Sequence, residues 1–209
     1  MSPSRTDRVE LAAAVLLAIA AVTTAWSSYQ ASRWNGEQAK TASTVNKTRI
    51  EAARAADLAS SQTQVDIATF IQWVDAYAEQ EAELQSFYRA RFRAEFKPAF
   101  DAWIATRPLR TPGAPPTPFA MPQYRLAAAA DATRLDAEAE VLAAQVRSYI
   151  QRSSNYVLGV VLCAVALFFA GISTKLVSRR LRIAMVGLGW FVYLTALAWI
   201  ASSPVSIAI

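Results

Sequence analysis

The chain contains no histidine and a single cysteine, Cys163, which stands inside an apolar run. Without an imidazole there is no base for Ser-His-Asp or Cys-His catalysis. With one thiol there is no disulfide within the chain and no site built from His and Cys ligands. No cofactor and no metal are expected, and no enzyme. The remaining catalytic groups are carboxylates such as Asp66, Asp75 and Asp101, which form no recognisable motif. Charge is also scarce, at 18% of residues against about 25% in average soluble chains. Hydrophobic residues reach 54% against roughly 45–50%. That skew belongs to a chain with part of its length in lipid.

The net charge of +5 is unevenly placed. Residues 28–155 hold 15 Lys/Arg and 14 Asp/Glu, and residues 1–10 hold two of each. The surplus is Lys175, Arg179, Arg180 and Arg182, all in one short stretch. A basic character this local is a topology signal, and nucleic acid is not an expected partner.

Three runs have the length and apolarity of membrane spans. The first, Val9 to Trp26, is interrupted only by Glu10, Thr23 and Thr24. Eighteen residues at ~1.5 Å each reach ~27 Å, close to the ~30 Å hydrocarbon thickness. It exceeds the 7–15-residue core of a cleaved signal peptide and no good A-x-A site follows, so it reads as an uncleaved signal anchor. The second run is YVLGVVLCAVALFFAGISTKL at 156–176, and the third is IAMVGLGWFVYLTALAWIA at 183–201. The basic stretch between them places residues 177–182 in the cytoplasm, and Arg5 and Arg8 place residues 1–8 there too. Spans at 9–27, 156–176 and 183–201 then leave residues 28–155 and the tail 202–209 outside. Both charge signals give the same orientation.

The outer segment is dominated by Ala, Glu, Gln, Arg and Leu, which favour helix. The expected fold class is all-α: three transmembrane helices plus an extracytoplasmic antiparallel helical bundle or long helical hairpin. The first helix continues from the membrane through residues 31–59. Ser61 followed by Gln64 has capping-box spacing, with Asp66 supplying an acid near the first turn, so a new helix is expected there. Its apolar positions include Phe70, Val74, Tyr77, Leu84, Phe87 and Tyr88. Middle helices are expected at about 62–96 and 98–107, separated at Pro98. Six prolines between Pro108 and Pro122 make residues 107–122 an extended connector. A last helix from about Gln123 to Gln151 fuses into the second span.

Several segments carry functional and structural readings side by side. Phe92, Phe96, Phe100 and Trp103 recur at helical spacing, interleaved with Arg89, Arg91, Arg93 and Lys97. This is either an amphipathic surface for anionic lipid or a partner, or a bundle core with a basic face pairing with Glu79, Glu81 and Glu83. The structural reading is favoured. Phe119, Met121 and Tyr124 in and after the connector are candidate docking anchors; capping the bundle is the alternative use. Gly159, Gly171, Gly187 and Gly189, with Ala166 and Ala170, are candidate helix-packing positions in the membrane. Thr23, Thr24, Tyr193 and Thr195 would line a pore shared among several copies, though packing accounts for them more simply. No ionisable group lies deep in a span, which weighs against a proton-coupled transporter. Asn46-Lys47-Thr48 matches a glycosylation sequon; the excess of Arg over Lys points to a GC-rich bacterial genome, where the sequon has no role.

Four stretches carry a resemblance: AWSSYQASRWNGEQA at 25–39, FYRARFRAEFKPAFDAWIATRP at 87–108, PPTPFAMPQYRLAA at 115–128 and FFAGISTK at 168–175. Together they resemble a family of bacterial three-span inner-membrane proteins with a periplasmic helical domain. The resemblance implies a bacterial source, inner-membrane localisation and that architecture. The family has no assigned function, so it carries over no site residue.

These observations lead to a non-enzymatic integral membrane scaffold or accessory subunit, acting through helix packing and self-associating. Its expected partners are the lipid bilayer and either further copies of itself or another membrane protein. The alternatives are an oligomeric channel or transport component, and a periplasmic sensor module signalling through a partner's membrane helices.

Overall fold

The computed structural model describes residues 5–108 and 110–206, and side chains from Arg8 onward. Every regular element among them is helical, as the composition requires. Helix α1 runs Arg5–Ala78, α2 Ala82–Arg91, α3 Lys97–Ala105, α4 Ala127–Ser173 and α5 Arg179–Ala201, with one 3₁₀ turn at Pro118–Ala120. Three of these helices, α1, α4 and α5, are long and apolar enough to cross a membrane. The chain divides into two compact units, Met1–Thr44 with Leu142–Ile209, and Val45–Val141.

In the first unit the buried positions recur at alternating steps of three and four. They are Ala13, Leu16, Ala20, Ser27, Gln30 and Trp34 on α1, Ser153, Tyr156, Cys163, Ala166 and Ala170 on α4, and Val186, Gly189, Tyr193, Ala196 and Ile200 on α5. This is the 3.5-residue repeat of interdigitating helices. Glu10 pairs with Arg182, Thr23 meets Tyr193, and the Gln30 side-chain oxygen Oε1 accepts from the Ser206 amide, so α1 and α5 run the same way. Ser153 donates to the Ala31 carbonyl, while the backbone at Ala166 approaches the Leu16 level, so α4 runs against both.

The contact layer is made of small residues, which lets the backbones approach closely. At Gly159 an added Cβ would lie 2.7 Å from Ile200 Cγ1, and at Gly189 2.9 Å from Leu16 Cδ2 and 3.3 Å from the Ala166 carbonyl oxygen. Gly171 and Gly187 meet nothing within 4 Å. Two of the four expected packing glycines therefore sit at tight helix contacts and two do not. Gly159→Ala is expected to destabilise by about 1–3 kcal/mol through overpacking. Gly171→Ala is expected to leave the melting temperature in detergent unchanged or raised, since alanine is the better helix former.

The helix ends differ from the sequence expectation in three places. No helix starts at Ser61. The chain stays helical to Ala78: no Gly or Pro lies between Ser61 and Ala78, and Thr63 and Thr69 turn their hydroxyls back onto the Ala59 and Val65 carbonyls of the same helix. The break comes at Glu79–Glu81, where Gln80 takes φ 60. There the Glu81 amide bonds the Ala76 carbonyl at 3.0 Å and the Gln80 amide that of Tyr77 at 3.2 Å. That is a Schellman closure with glutamine where glycine is usual. A second break at Phe92–Phe96 interrupts the aromatic-basic segment, and Pro98 then sits in the first turn of α3. Arg179, Arg180 and Arg182 lie in the first turn of α5, which begins earlier than the expected span.

Candidate functional site

The second unit is organised around rings. Phe70 and Trp73 from α1, Phe92 and Phe96 from the α2–α3 link, and Phe100 and Trp103 from α3 form one buried cluster. Phe119 from the 3₁₀ turn stacks on Phe96 at 5.1 Å and meets Phe70 edge-on at 5.8 Å. Met121 and Tyr124 pack against the same cluster. The Trp103 indole N–H donates to the Pro115 carbonyl at 2.8 Å, so the proline connector is tied to the core along its length. Both the aromatic stripe and the connector anchors are turned inward. Phe92, Phe96, Phe100 and Trp103 belong to the core and offer no lipid-facing surface in this fold.

One acid is buried beside the rings. Asp66 is fully buried on α1, and its Oδ2 accepts from Arg93 Nη1 at 2.9 Å and from the Tyr124 hydroxyl at 3.1 Å. Tyr124 is also 3.3 Å from the Thr63 hydroxyl. Arg93 forks to Glu95 as well, and Glu95 Oε1 accepts from the Ala127 amide at 3.0 Å, capping the first residue of α4. A single chain of charge-assisted bonds thus ties α1, the α2–α3 link and the start of α4. Burial pushes the Asp66 carboxyl above its ordinary value, and the Tyr124 hydrogen bond and the Arg93 charge oppose that rise. Burial likewise raises the Tyr124 phenol. The second carboxylate oxygen, Oδ1, has no hydrogen-bond partner among the described residues.

The basic residues find other partners than the expected Glu79, Glu81 and Glu83. Arg89 pairs with Asp101 at 2.7 Å, and Arg91 lies 3.4 Å over the Phe87 ring. Arg93 goes to Asp66 and Glu95, and Lys97 donates to the Ala90 carbonyl at 3.1 Å. Asp66, in sequence a helix-start acid and a lone carboxylate, is in the fold a buried one. A signal was present: Ala52, Ala59, Asp66 and Trp73 are spaced by sevens, and all four are buried. An acid on such a seam needs an interior partner.

In the first unit the hydroxyl groups proposed for a pore are used internally. Thr23 and Thr24 donate to the Ile19 and Ala20 carbonyls at 2.8 Å, and Thr195 to that of Phe191 at 2.9 Å. Thr23 also lies 3.0 Å from the Tyr193 hydroxyl. Nearby, Tyr156 donates to the Pro204 carbonyl at 3.2 Å. Ser27 Oγ, Gln30 Nε2 and Trp34 Nε1 are buried with no hydrogen-bond partner among the described residues. Of the candidate topology determinants, Arg8, Lys175, Arg179 and Arg180 are exposed, and Arg182 pairs with Glu10 at 3.0 Å. The side chain of Arg5 lies outside the described residues.

Among the described residues no group of three His, Cys, Asp or Glu side chains is placed to hold a metal ion. No protein-family model, no curated protein and no solved structure matches this chain. The arrangement in the second unit is a buried clamp. Its one acid is held by a cation and a phenol, and it has the chemistry of a fixed joint.

Proposed function

We propose that the chain is a non-enzymatic scaffold or accessory subunit of a bacterial inner membrane, acting through helix packing and associating with copies of itself or with another membrane protein. In this reading the N-terminus and residues 177–182 face the cytoplasm, and residues 28–155 lie in the periplasm.

One observation carries the membrane part. The first unit differs from a water-soluble bundle: its interior holds Ser27, Gln30, Ser153 and several alanines beside Leu16, Trp34, Tyr156 and Ile200, while many of its large apolar side chains point out. Leu11, Val22, Phe168 and Phe191 are 65%, 71%, 60% and 69% exposed. In water such a surface far exceeds what a monomer tolerates. In lipid it is the expected arrangement, with small and polar groups at helix contacts and large apolar groups toward the acyl chains.

The scaffold reading rests on how the polar groups are spent. The four hydroxyl groups that would line a shared pore bond their own helices or one another, which favours packing over conduction. The acids of the second unit that lie near its rings, Asp66, Glu95 and Asp101, are each held by an arginine. Native mass spectrometry of the chain in nanodiscs, with co-purifying proteins identified, tests association. A defined homo-oligomer or a stoichiometric complex with another membrane protein is the expected result. A monomer that carries a stand-alone catalytic activity would overturn the reading.

A further inference from the structure

The second unit has one feature that packing alone leaves unused. A cleft of about 430 Å³ opens between Trp73 and Tyr77 at the end of α1, Trp103 and Ile104 of α3, and the turn carrying Arg107 and Arg110. Its size falls within the ~300–1,000 Å³ of small-molecule sites. Its walls are rings: Trp73 and Tyr77 stack at 5.3 Å with 24° between their planes. The polar edge of Trp103 is already taken by the Pro115 carbonyl, so the cleft meets this indole as an apolar surface.

Arg107 and Arg110 lie just beyond the C-terminal end of α3. Arg107 adopts φ 52, a left-handed backbone that a non-glycine residue seldom takes. The amides of Arg110 and Thr111 both bond its carbonyl, at 2.8 and 3.1 Å, and its own amide bonds Ile104 at 3.0 Å. This is how α3 ends, as Gln80 ends α1: a left-handed residue after the C-cap, here with a proline following. Among the described residues neither guanidinium has a carboxylate within 4.0 Å. No acid lines the cleft.

Aromatic walls select a flat apolar body, and guanidinium groups in a lining that holds no acid select a carboxylate, which they match in shape and charge. We propose that this cleft binds a small aryl carboxylate, its ring against Trp73, Tyr77 and Trp103 and its carboxylate on Arg107 and Arg110. The proposal is independent of the scaffold reading, since it concerns only side chains of the second unit.

The test uses the full chain in phosphatidylcholine nanodiscs, titrated with 4-phenylbutyrate and with its uncharged counterpart 4-phenylbutanol by saturation-transfer NMR and calorimetry. Empty nanodiscs report partition into lipid. The acid is expected to bind at least tenfold more tightly than the alcohol and well above the empty-disc signal. Arg110→Gln should weaken it several-fold and Arg107→Gln with Arg110→Gln at least tenfold, at an unchanged melting temperature. Val74→Trp, which fills the cleft from an exposed position, should abolish binding. Equal binding of acid and alcohol would overturn the proposal. So would a signal no larger than that of empty discs, or full binding by the double arginine variant.

Discussion

Replacing Arg93 by alanine is expected to destabilise the second unit by about 3 kcal/mol at neutral pH, the low end of the range for breaking a buried ion pair. The reason lies in Asp66. Its carboxylate is fully buried, and without Arg93 its only remaining partner is the Tyr124 hydroxyl. The low end applies because Arg93 is itself 24% exposed and because Asp66 can take up a proton to escape the penalty. The loss should therefore shrink as the solution is acidified.

The same site fixes the sign of a pH dependence in the intact protein. The folded-state pKa of Asp66 is raised above the ordinary carboxylate value, with burial the largest cause. The folded chain then holds a proton at pH values where the unfolded chain has released it. Stability contributed by this group is present below the ordinary carboxylate value and falls as pH rises through the raised folded value. Asp66→Asn removes that slope, so its melting temperature relative to the natural chain should improve from mild acid toward neutrality. In the Asp66→Asn background, Arg93→Ala should cost much less than alone, because no buried charge is left uncompensated. Thermal melts of the four proteins in detergent across that pH range check all three statements. An Arg93→Ala cost that is equal in both backgrounds would remove the clamp.

The second large effect is at the ring cluster. Phe96 is fully buried, with ring centres of Phe92, Phe100, Phe119 and Tyr124 at 4.9, 6.1, 5.1 and 6.0 Å. Phe96→Ala is expected to cost about 3–5 kcal/mol, from lost burial and from the cavity left in a cluster drawn from four chain segments. The connector should loosen with it, because Phe119 stacks directly on the lost ring. Hydrogen exchange of residues 110–122 should accelerate together with the fall in melting temperature. Phe87→Ala, at a ring that is 46% exposed and covered by Arg91, should cost less than about 1 kcal/mol.

Much of the architecture is legible in the chain, and the reasons it fails in places are local. The three apolar helices declare themselves by length and apolarity, and the fusion of the last outer helix into the second apolar run follows from the absence of proline between Ala127 and Ser173. Ser61 misleads because serine and threonine serve equally as caps and as helix-interior residues that bond back four positions. The true end at Ala78 carries no Gly or Pro; Gln80 takes the left-handed conformation that glycine usually supplies. The aromatic recurrence at four-residue spacing suggests one helix. The rings instead converge from a non-helical link and a short helix, so the residues are rightly core while the element is not what the spacing implies. In sequence Arg89 and Arg93 read as a basic face beside the nearby glutamates. Their partners Asp101 and Asp66 come from other segments, a pairing that only the tertiary fold brings about.

The central claim is that three helices lie in the bilayer and place residues 28–155 on the side opposite the basic loop. Paired cysteine labelling tests it most directly. In a Cys163→Ala background, Ala129→Cys and Ser178→Cys each introduce one exposed thiol, in the second unit and at the start of α5. A membrane-impermeant maleimide applied to intact spheroplasts should label the chain carrying Ala129→Cys at once. It should label the chain carrying Ser178→Cys only after the membrane is permeabilised. Labelling of both from the same side, or labelling in the reverse order, would contradict the account.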